Sequence, residues 1–271
     1  MNNKITVIEP KSGWQLIDWK ELREFRDMFF FLVWKEIKGK YAQSVLGVGW
    51  AVIQPVFSMI VFTIVFGNLA EIESDGVPYA IFSFVALVPW TFFENSLTGS
   101  SNSMNAMITK IYFPRLVLPV ASILSRGVDF VISFVVLGVL LVWFQIIPTM
   151  WIVMLPFLIL VLMLTALGFG MWLSAMSVQY RDIRHALGFG TKLFMYAAPV
   201  VYPVSYIPEQ YRLLYALNPM VGVIEGFRSA ILATNPMPWD LILVGTASAI
   251  VIALSGALYF KRREKFFADV I

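Results

Sequence analysis

The feature that most constrains this chain is a series of long apolar segments, each close to the length that crosses a lipid bilayer. A crossing helix needs about 20 mainly apolar residues, and it must satisfy its own N–H and C=O groups because lipid offers them no partners. Six segments approach this length: 46–67, 79–97, 122–147, 151–178, 187–204 and 241–260. The fifth is the weakest, since it contains Lys192, Pro199 and Pro203. We therefore predict an all-α integral membrane protein with six transmembrane helices.

The composition agrees with this prediction. Hydrophobic residues make up 59% of the 271 residues and charged residues 14%, whereas an average soluble domain is about half apolar and about a quarter charged. The absence of cysteine excludes disulfides and Cys-ligated metals. A formal charge of +3 is too small to indicate a nucleic-acid partner.

The basic residues predict how the helices are oriented. All of the 20 Lys and Arg residues except Arg212 and Arg228 lie before the first segment, around the loops after the second and fourth segments, or after the sixth. Loops rich in Lys and Arg stay in the cytoplasm. We therefore expect both termini to be cytoplasmic, with a cytoplasmic segment at 1–45, a membrane domain at 46–260 and a basic tail at 261–271.

The segment before the first crossing has its own helical pattern. Apolar residues recur at helical spacing with charged residues between them, at positions Leu22, Phe25, Phe29, Leu32, Val33 and Ile37. This pattern predicts an amphipathic helix that lies along the cytoplasmic membrane surface. The sequence leaves open whether that helix is a plain anchor or a docking surface for a partner.

The stretch between the fifth and sixth segments is too apolar for a solvated loop and too short for two crossings. It predicts two short helices, 211–217 and 220–232, interrupted at Asn218-Pro219. Such a pair fits re-entrant helices on the external side, although an external cap without any gating role is the alternative. Glu225 and Arg228 are three residues apart, so we expect them to pair.

Catalytic and cofactor motifs are missing from the chain. There is no glycine-rich phosphate loop, and the only histidine, His185, has no candidate partner for a metal site. We therefore expect no enzymatic activity and no bound cofactor. Ionisable residues within the segments are few, and Arg126 and Asp129, three residues apart, are expected to pair with each other.

A series of short motifs resembles the permease subunits of ABC-2 type exporters of cell-surface polysaccharide. The matching stretches follow the same order along nearly the whole chain: 34–47 with Trp50 and Pro55, 89–93, 110–115 with Pro119, 180–183, 199–203, 218–219 and 225–228. The resemblance is closest to exporters of O-antigen and capsule. It implies a location in the cell inner (cytoplasmic) membrane.

The resemblance also implies partners. It implies a homodimer with the translocation path between its two copies, and two copies of a cytoplasmic ATP-binding subunit that uses ATP and Mg²⁺. The implied substrate is a polysaccharide linked to undecaprenyl diphosphate. The regions implied to contact the ATPase are 18–38 and 100–112, with candidate residues Glu21, Arg23, Glu24, Lys35, Ser101, Asn105, Lys110 and Arg115.

Further roles are implied for three groups of residues. External gate helices would occupy 209–232, with candidate residues Tyr211, Asn218, Pro219, Glu225 and Arg228. Because aromatic rings stack on sugars, candidates for the channel lining are Trp90, Phe92, Phe93, Tyr196 and Tyr202. For each of them the alternative is contact with lipid or a place in an interfacial aromatic belt. Candidates for the cytoplasmic entrance are Arg126, Asp129, Arg181 and Asp182.

Other functions remain compatible with the sequence. An ion-coupled secondary transporter would need an essential acid within a span, and a membrane enzyme acting on lipid-linked sugars would need catalytic acids or a metal site. An exporter of teichoic-acid-type polymers would belong to the same family.

Overall fold

The computed structural model describes residues 25–42, 44–103, 114–180 and 182–264. Regular structure in these residues is helical, as predicted. The α-helices are α1 (Arg26–Tyr41), α2 (Trp50–Phe62), α3 (Tyr79–Ser103), α4 (Val117–Ser125), α5 (Gly127–Trp143), α6 (Leu155–Gln179), α7 (Asp182–Tyr196), α8 (Glu209–Tyr215), α9 (Pro219–Leu232) and α10 (Trp239–Glu264). A short 3₁₀ turn precedes α2, and a π-helical segment, Thr63–Leu69, extends it.

Five helical stretches in the described residues are long and apolar enough to cross a membrane. They are Gly47–Leu69, Tyr79–Ser103, Val117–Trp143, Met150–Gln179 and Trp239–Glu264. They correspond to the first, second, third, fourth and sixth predicted segments. Five of the six predicted crossings are therefore supported by helix length and composition.

The fifth predicted crossing, 187–204, is not one continuous helix. Helix α7 ends at Tyr196, and residues 197–203 are not helical. The ring of a proline disfavours the helical conformation of the residue before it, so Pro199 and Pro203 account for the break. A sixth crossing stays a prediction.

Helix α3 lies at the centre of the bundle. In the most apolar stretch of α3, 78% of the residues are buried, whereas in that of the first span, Gly47–Leu69, 17% are buried. Helix α3 packs against α2, α4, α5, α6, α7 and α9. The first span is therefore peripheral and exposes most of its apolar side chains.

Helices α6 and α10 approach each other very closely. A Cβ atom added to Gly256 would lie 2.4 Å from the carbonyl oxygen of Gly168, and one added to Gly168 would lie 2.8 Å from the backbone N of Ala253. Small residues let membrane helices pack backbone against backbone. Glycine is therefore required at both positions of this contact.

Helix α1 is helical in the region where the sequence predicts an amphipathic helix, although residues 1–24 lie outside the described part of the chain; its position along the membrane surface stays a prediction. Its buried Leu32 packs in a cluster with Val117 of α4 and Phe260 of α10. The predicted apolar face is therefore turned toward the bundle. A second apolar strip, which the sequence analysis missed, is exposed and consists of Phe30, Phe31 and Trp34.

Helices α8 and α9 confirm the two predicted short helices. Asn218 caps α9, since its Oδ1 accepts a hydrogen bond from the backbone N of Met220 at 3.1 Å, and Pro219 occupies the first turn. All 14 residues of α9 are buried, whereas α8 has no buried residue. Helix α9 is therefore part of the core rather than an amphipathic cap.

Candidate functional site

A cleft of about 470 Å³ lies between α2, α3 and α7. Its lining includes five uncharged polar or acidic side chains: Gln54, Ser58, Thr91, Glu94 and Asn95. Helix α7 contributes Met195 to the lining. The Glu94 carboxylate accepts a hydrogen bond from Oγ1 of Thr191 at 3.2 Å, and this bond links α3 to α7 beside the cleft. Because these residues lie within the candidate spans, the cleft is unsuited to contact with lipid chains.

Aromatic side chains border the same cleft. Trp50 and Phe57 are exposed on α2, and the buried Trp90 contributes from α3. The indole Nε1 of Trp90 is buried and finds no hydrogen-bond partner among the residues that the structure describes. The cleft thus combines flat apolar surfaces with hydrogen-bonding groups, which is the chemistry that suits a sugar.

A second cavity of about 280 Å³ continues the cleft toward the end of α1. The two cavities share Trp50 and Gln54, and the second adds Lys40, Tyr41 and Gly47. Gly47 has φ +49°, a left-handed conformation that glycine adopts easily, and it turns the chain from α1 into the first span. The lining is therefore continuous from α1 into the bundle.

Charged residues join α1 to the start of α5, a set that we call the α1–α5 cluster. The Asp129 carboxylate accepts hydrogen bonds from the Lys40 ammonium and the Tyr41 hydroxyl. Arg126 lies 3.8 Å from Glu36. The predicted pair between Arg126 and Asp129 is wrong, since among the described residues both find their partners on α1.

Glu225 and Arg228 of α9 form the predicted pair, with 2.7 Å between Oε1 and Nη1. The guanidinium is 3.6 Å from the ring centre of Phe82 on α3. Its Nη2 donates to the carbonyl of Val200 at 2.9 Å, and Nη1 donates to the carbonyl of Tyr202 at 3.3 Å. We call this arrangement the α9 clasp, because it holds the non-helical segment 197–203.

Two further side chains hold the same segment. The Tyr79 hydroxyl donates to the carbonyl of Val201 at 2.6 Å, and Nδ2 of Asn218 donates to the carbonyl of Ala197 at 3.0 Å. The Tyr202 hydroxyl lies 3.0 Å from that of Tyr215 on α8. The carbonyls that the helix break leaves free are thus satisfied by side chains of α3 and α9, as irregular backbone within a membrane protein requires. The sequence indicated the break through its prolines but not these partners.

The predicted lining residues occupy different environments. Phe92 and Phe93 are buried in the core, where their rings pack against Phe130 at 5.1 Å and Phe169 at 5.9 Å, so neither faces an open surface. Their burial follows from the central position of α3. Trp90 borders the cleft, Tyr196 is exposed on α7, and Tyr202 belongs to the segment held by the α9 clasp.

The predicted ATPase-coupling residues are only partly within the described chain. Lys35 is exposed on α1. Nη1 of Arg115 donates to the carbonyl of Glu264 at 3.1 Å. Ser101 is buried, and its carbonyl accepts from the Ser177 hydroxyl at 2.8 Å, so it does not offer a docking surface. Glu21, Arg23, Glu24, Asn105 and Lys110 lie outside the described residues.

Of the remaining predicted residues, those that the structure describes lie at the start of α7 and on α8. Asp182 is exposed at the start of α7, and Arg181 lies outside the described residues. Tyr211 is exposed on α8. The cleft itself was not predicted, although Gln54 and Ser58 are four residues apart in an otherwise apolar helix, and such a spacing places both on one face.

Known proteins resemble the chain over most of its length. It is 29% identical to the O-antigen export system permease protein RfbA of Myxococcus xanthus, covering 93% of this chain and 98% of that protein. It is 24% identical to the RfbA protein of Klebsiella pneumoniae, over 90% of this chain and 95% of the relative. The polysialic acid transport protein KpsM of Escherichia coli is 22% identical, over 85% and 91%.

The family profile described as "ABC-2 type transporter" matches residues 28–232. This range includes α1 except its first two residues, the whole cleft, the α1–α5 cluster and the α9 clasp. Because the match covers well over half of the chain, the protein belongs to the ABC-2 type transporter family.

Proposed function

We propose that this chain is the membrane subunit of an ATP-driven exporter of lipid-linked cell-surface polysaccharide, O-antigen or capsule, in the cytoplasmic membrane. The cleft between α2, α3 and α7 carries the proposal. It offers polar groups and aromatic rings on the face of candidate spans, where lipid contact would be unfavourable. Relatives named as O-antigen and polysialic acid export proteins support the same substrate class.

We propose six crossings, with α7 and residues 197–203 together forming the fifth. Thr191 contacts Glu94, and Val201 contacts Tyr79, so this part of the chain runs antiparallel to α3. Glu94 and Tyr79 are about 22 Å apart along α3 at about 1.5 Å per residue. That distance is most of the hydrocarbon thickness, about 30 Å. An even number of crossings places both termini on the same side, and the loops rich in Lys and Arg assign that side to the cytoplasm.

A second copy of the chain would complete the path. The cleft is open on the side of Trp50 and Phe57, and a polar cleft within the bilayer requires a cover of protein or water. Two clefts facing each other would enclose a channel. Aromatic faces would stack on sugar rings, while Gln54, Glu94 and Asn95 would bond to sugar hydroxyls.

The energy would come from two copies of an ATP-binding subunit on the cytoplasmic side, which would hold ATP and Mg²⁺. Helix α1 suits docking at the membrane surface, since Phe30, Phe31 and Trp34 are exposed and can enter the interface. The α1–α5 cluster would pass a movement of α1 to α5. In this scheme the chain itself binds no cofactor.

The test is export in cells that lack the gene. We expect the deletion strain to lose surface polysaccharide and to accumulate lipid-linked glycan inside, and we expect the gene to restore export. Genes that carry Trp50→Ala or Glu94→Gln should each restore export poorly. A gene that carries Leu243→Ala, which alters an exposed residue of α10, should restore it fully. Normal surface polysaccharide in the deletion strain, with no second copy of the gene, would refute the proposal.

One observation favours an ion-coupled transporter as the second candidate, namely the carboxylate of Glu94 within a span. This candidate requires transport by the purified chain alone, driven by an ion gradient. Reconstitution with and without the ATP-binding subunit separates the two. Glycan uptake into inside-out vesicles that depends on ATP and that subunit would exclude the ion-coupled mechanism.

A further inference from the structure

The cleft between α2, α3 and α7 has a distinct charge pattern. Among the described residues that line it, Glu94 is the only charged one, and the other polar side chains of the lining are Gln54, Ser58, Thr91 and Asn95. Glu94 is half-buried and accepts a hydrogen bond from Oγ1 of Thr191 at 3.2 Å. Within the described part of the chain no Lys or Arg forms an ion pair with it. The cleft therefore presents one carboxylate that no described cation balances.

The second cavity, which continues the cleft, adds no net charge. Lys40 is the charged residue of its described lining, and the Asp129 carboxylate accepts a hydrogen bond from the Lys40 ammonium. The other cation of the α1–α5 cluster, Arg126, lies 3.8 Å from the Glu36 carboxylate. Each of the two cations thus faces a carboxylate. The net charge of the lining from α1 into the bundle is therefore negative and comes from Glu94.

The first span ends in an acidic loop at the other end of the bundle. Residues 63–78 contain Glu71, Glu73 and Asp75 and no Lys or Arg. Arg228 lies in the same part of the molecule, but it is 2% exposed and bonds to Glu225 and to two backbone carbonyls. Its guanidinium is therefore not available to a polymer. A chain that leaves the cleft at this end meets carboxylates.

This pattern suits a neutral glycan. Sugar hydroxyls donate hydrogen bonds that a carboxylate accepts, and the amides of Gln54 and Asn95 both donate and accept. A carboxylate, phosphate or sulfate on the sugar would instead approach Glu94 without a cation to pair with, and like charges brought together at a binding surface are strongly unfavourable. Pores that carry anions are lined by Arg and Lys. The described lining of this cleft has the opposite sign.

We propose that Glu94 makes the cleft selective for glycans whose repeating units carry no acidic group, and that it excludes polyanions, such as polymers of uronic or sialic acid, by charge repulsion. The inference rests on the proposed function and names the substrate class of the same cleft. The diphosphate of the lipid carrier occurs once per chain, so the selectivity concerns the repeating sugars. Two copies with facing clefts would bring two Glu94 carboxylates to the path and strengthen the exclusion.

The first experiment is chemical analysis of the polysaccharide that the deletion strain loses from its surface. We expect its repeating unit to contain no uronic acid, sialic acid, phosphate or sulfate. An acidic group in the repeating unit would overturn the selectivity. A deletion strain that loses no polysaccharide would instead refute the proposed function, so the two failures are distinguishable.

The second experiment compares three forms of one glycan. The lipid-linked glycan that accumulates in the deletion strain is used unchanged, with part of its primary hydroxyls oxidised to carboxylates, or with those carboxylates converted to methyl esters. Inside-out vesicles that contain the full-length protein and its ATP-binding subunit are supplied with ATP. We expect the oxidised form to enter at least about tenfold more slowly than the other two, since it alone brings like charges together in the cleft. Equal rates for the oxidised form and its ester would overturn the proposal.

Substitutions in the cleft test whether Glu94 is responsible. Glu94→Gln removes the charge, and Gln54→Lys supplies a cation from α2. In each variant the ratio of the ester rate to the oxidised rate should fall to about threefold or less, even where both rates are lower than in the parent protein. Glu94→Asp keeps the charge and should keep the ratio.

The matched control is Asp240→Asn, which removes an exposed acid in the first turn of α10, outside the cleft, and should leave the ratio unchanged. A ratio that persists in Glu94→Gln would overturn the role of Glu94. If Glu94→Gln neither folds nor transports, Gln54→Lys decides in the same way. Parent vesicles that transport none of the three glycans would refute the proposed function, and the selectivity with it.

Discussion

The α1–α5 cluster and the α9 clasp contain the same types of charged residue in opposite surroundings. In the cluster the side chains of Lys40 and Asp129 are 32% and 11% exposed, whereas in the clasp those of Arg228 and Glu225 are 2% and 5% exposed. A partly hydrated pair can separate and be solvated again, but a fully buried one cannot. The comparison indicates an adjustable joint at one end of the molecule and a fixed one at the other.

The strongest test of this comparison is Arg228→Met. It removes the charged partner of the buried Glu225 carboxylate and the donor to two carbonyls, so we expect a loss of about 3–5 kcal/mol of stability. Thermal unfolding of the purified protein in detergent measures this loss. Arg212→Met serves as control and should cost less, about 1 kcal/mol or below, since its partner Glu209 is exposed and its other loss is one part-buried hydrogen bond to the carbonyl of Ile207. Similar losses in the two variants would contradict the distinction.

Asp129→Asn should have the next largest effect. The carboxylate accepts bonds from Lys40 and Tyr41, and bonds to a charged group contribute about 1.5–3 kcal/mol each when buried. We expect a smaller net loss of stability, about 1–2 kcal/mol, because Lys40 can recover contact with water. The same unfolding measurement applies, with Asp27→Asn as control, since Asp27 is exposed on α1. A loss as large as that of Arg228→Met would remove the contrast between the two ends.

Tyr79→Phe tests a neutral contact to the same segment that the α9 clasp holds. It removes one hydrogen bond, that from the Tyr79 hydroxyl to the carbonyl of Val201. We expect a loss of about 1 kcal/mol, since the aromatic packing is preserved. Tyr211→Phe, on the exposed α8, should be neutral. If Tyr79→Phe were equally neutral in thermal unfolding, the carbonyl of Val201 would have another partner. The segment 197–203 would then be held by Arg228 and Asn218 alone.

Glu36→Gln should have the smallest effect. Its carboxylate lies 3.8 Å from Arg126 and is 39% exposed, and such pairs contribute about 0–1 kcal/mol and are screened by salt. The difference in unfolding temperature between Glu36→Gln and the parent protein should therefore vanish at about 1 M salt, where the Debye length is about 3 Å. The loss caused by Arg228→Met should persist at that salt concentration.

The sequence predicted the features that depend on local pattern. Length and hydropathy identified five long helices, and the spacing of Glu225 and Arg228 identified their pair. The prolines of the fifth segment marked a weak span, and the structure places a helix break there. These features follow from backbone chemistry within a few residues.

The features that the sequence analysis missed depend on distant parts of the chain. Asp129 pairs with Lys40, 89 residues away, rather than with its neighbour Arg126. The aromatic residues of α3 could have faced a path or a core, and only the packing of six helices around α3 places Phe92 and Phe93 in the core. The partners of the non-helical segment 197–203 were missed for the same reason, because Tyr79 reaches Val201 across 122 residues.

The close contact between Gly168 of α6 and Gly256 of α10 has a consequence for how the protein is made. The two helices leave the ribosome far apart in time, because α7, α8 and α9 are synthesised between them. Until α10 has been inserted, α6 lacks the neighbour that its glycine surface fits, and the buried α9 lacks one of its walls. We therefore expect chains that stop before residue 239 to be recognised as incomplete and degraded in the membrane, so that only finished subunits accumulate.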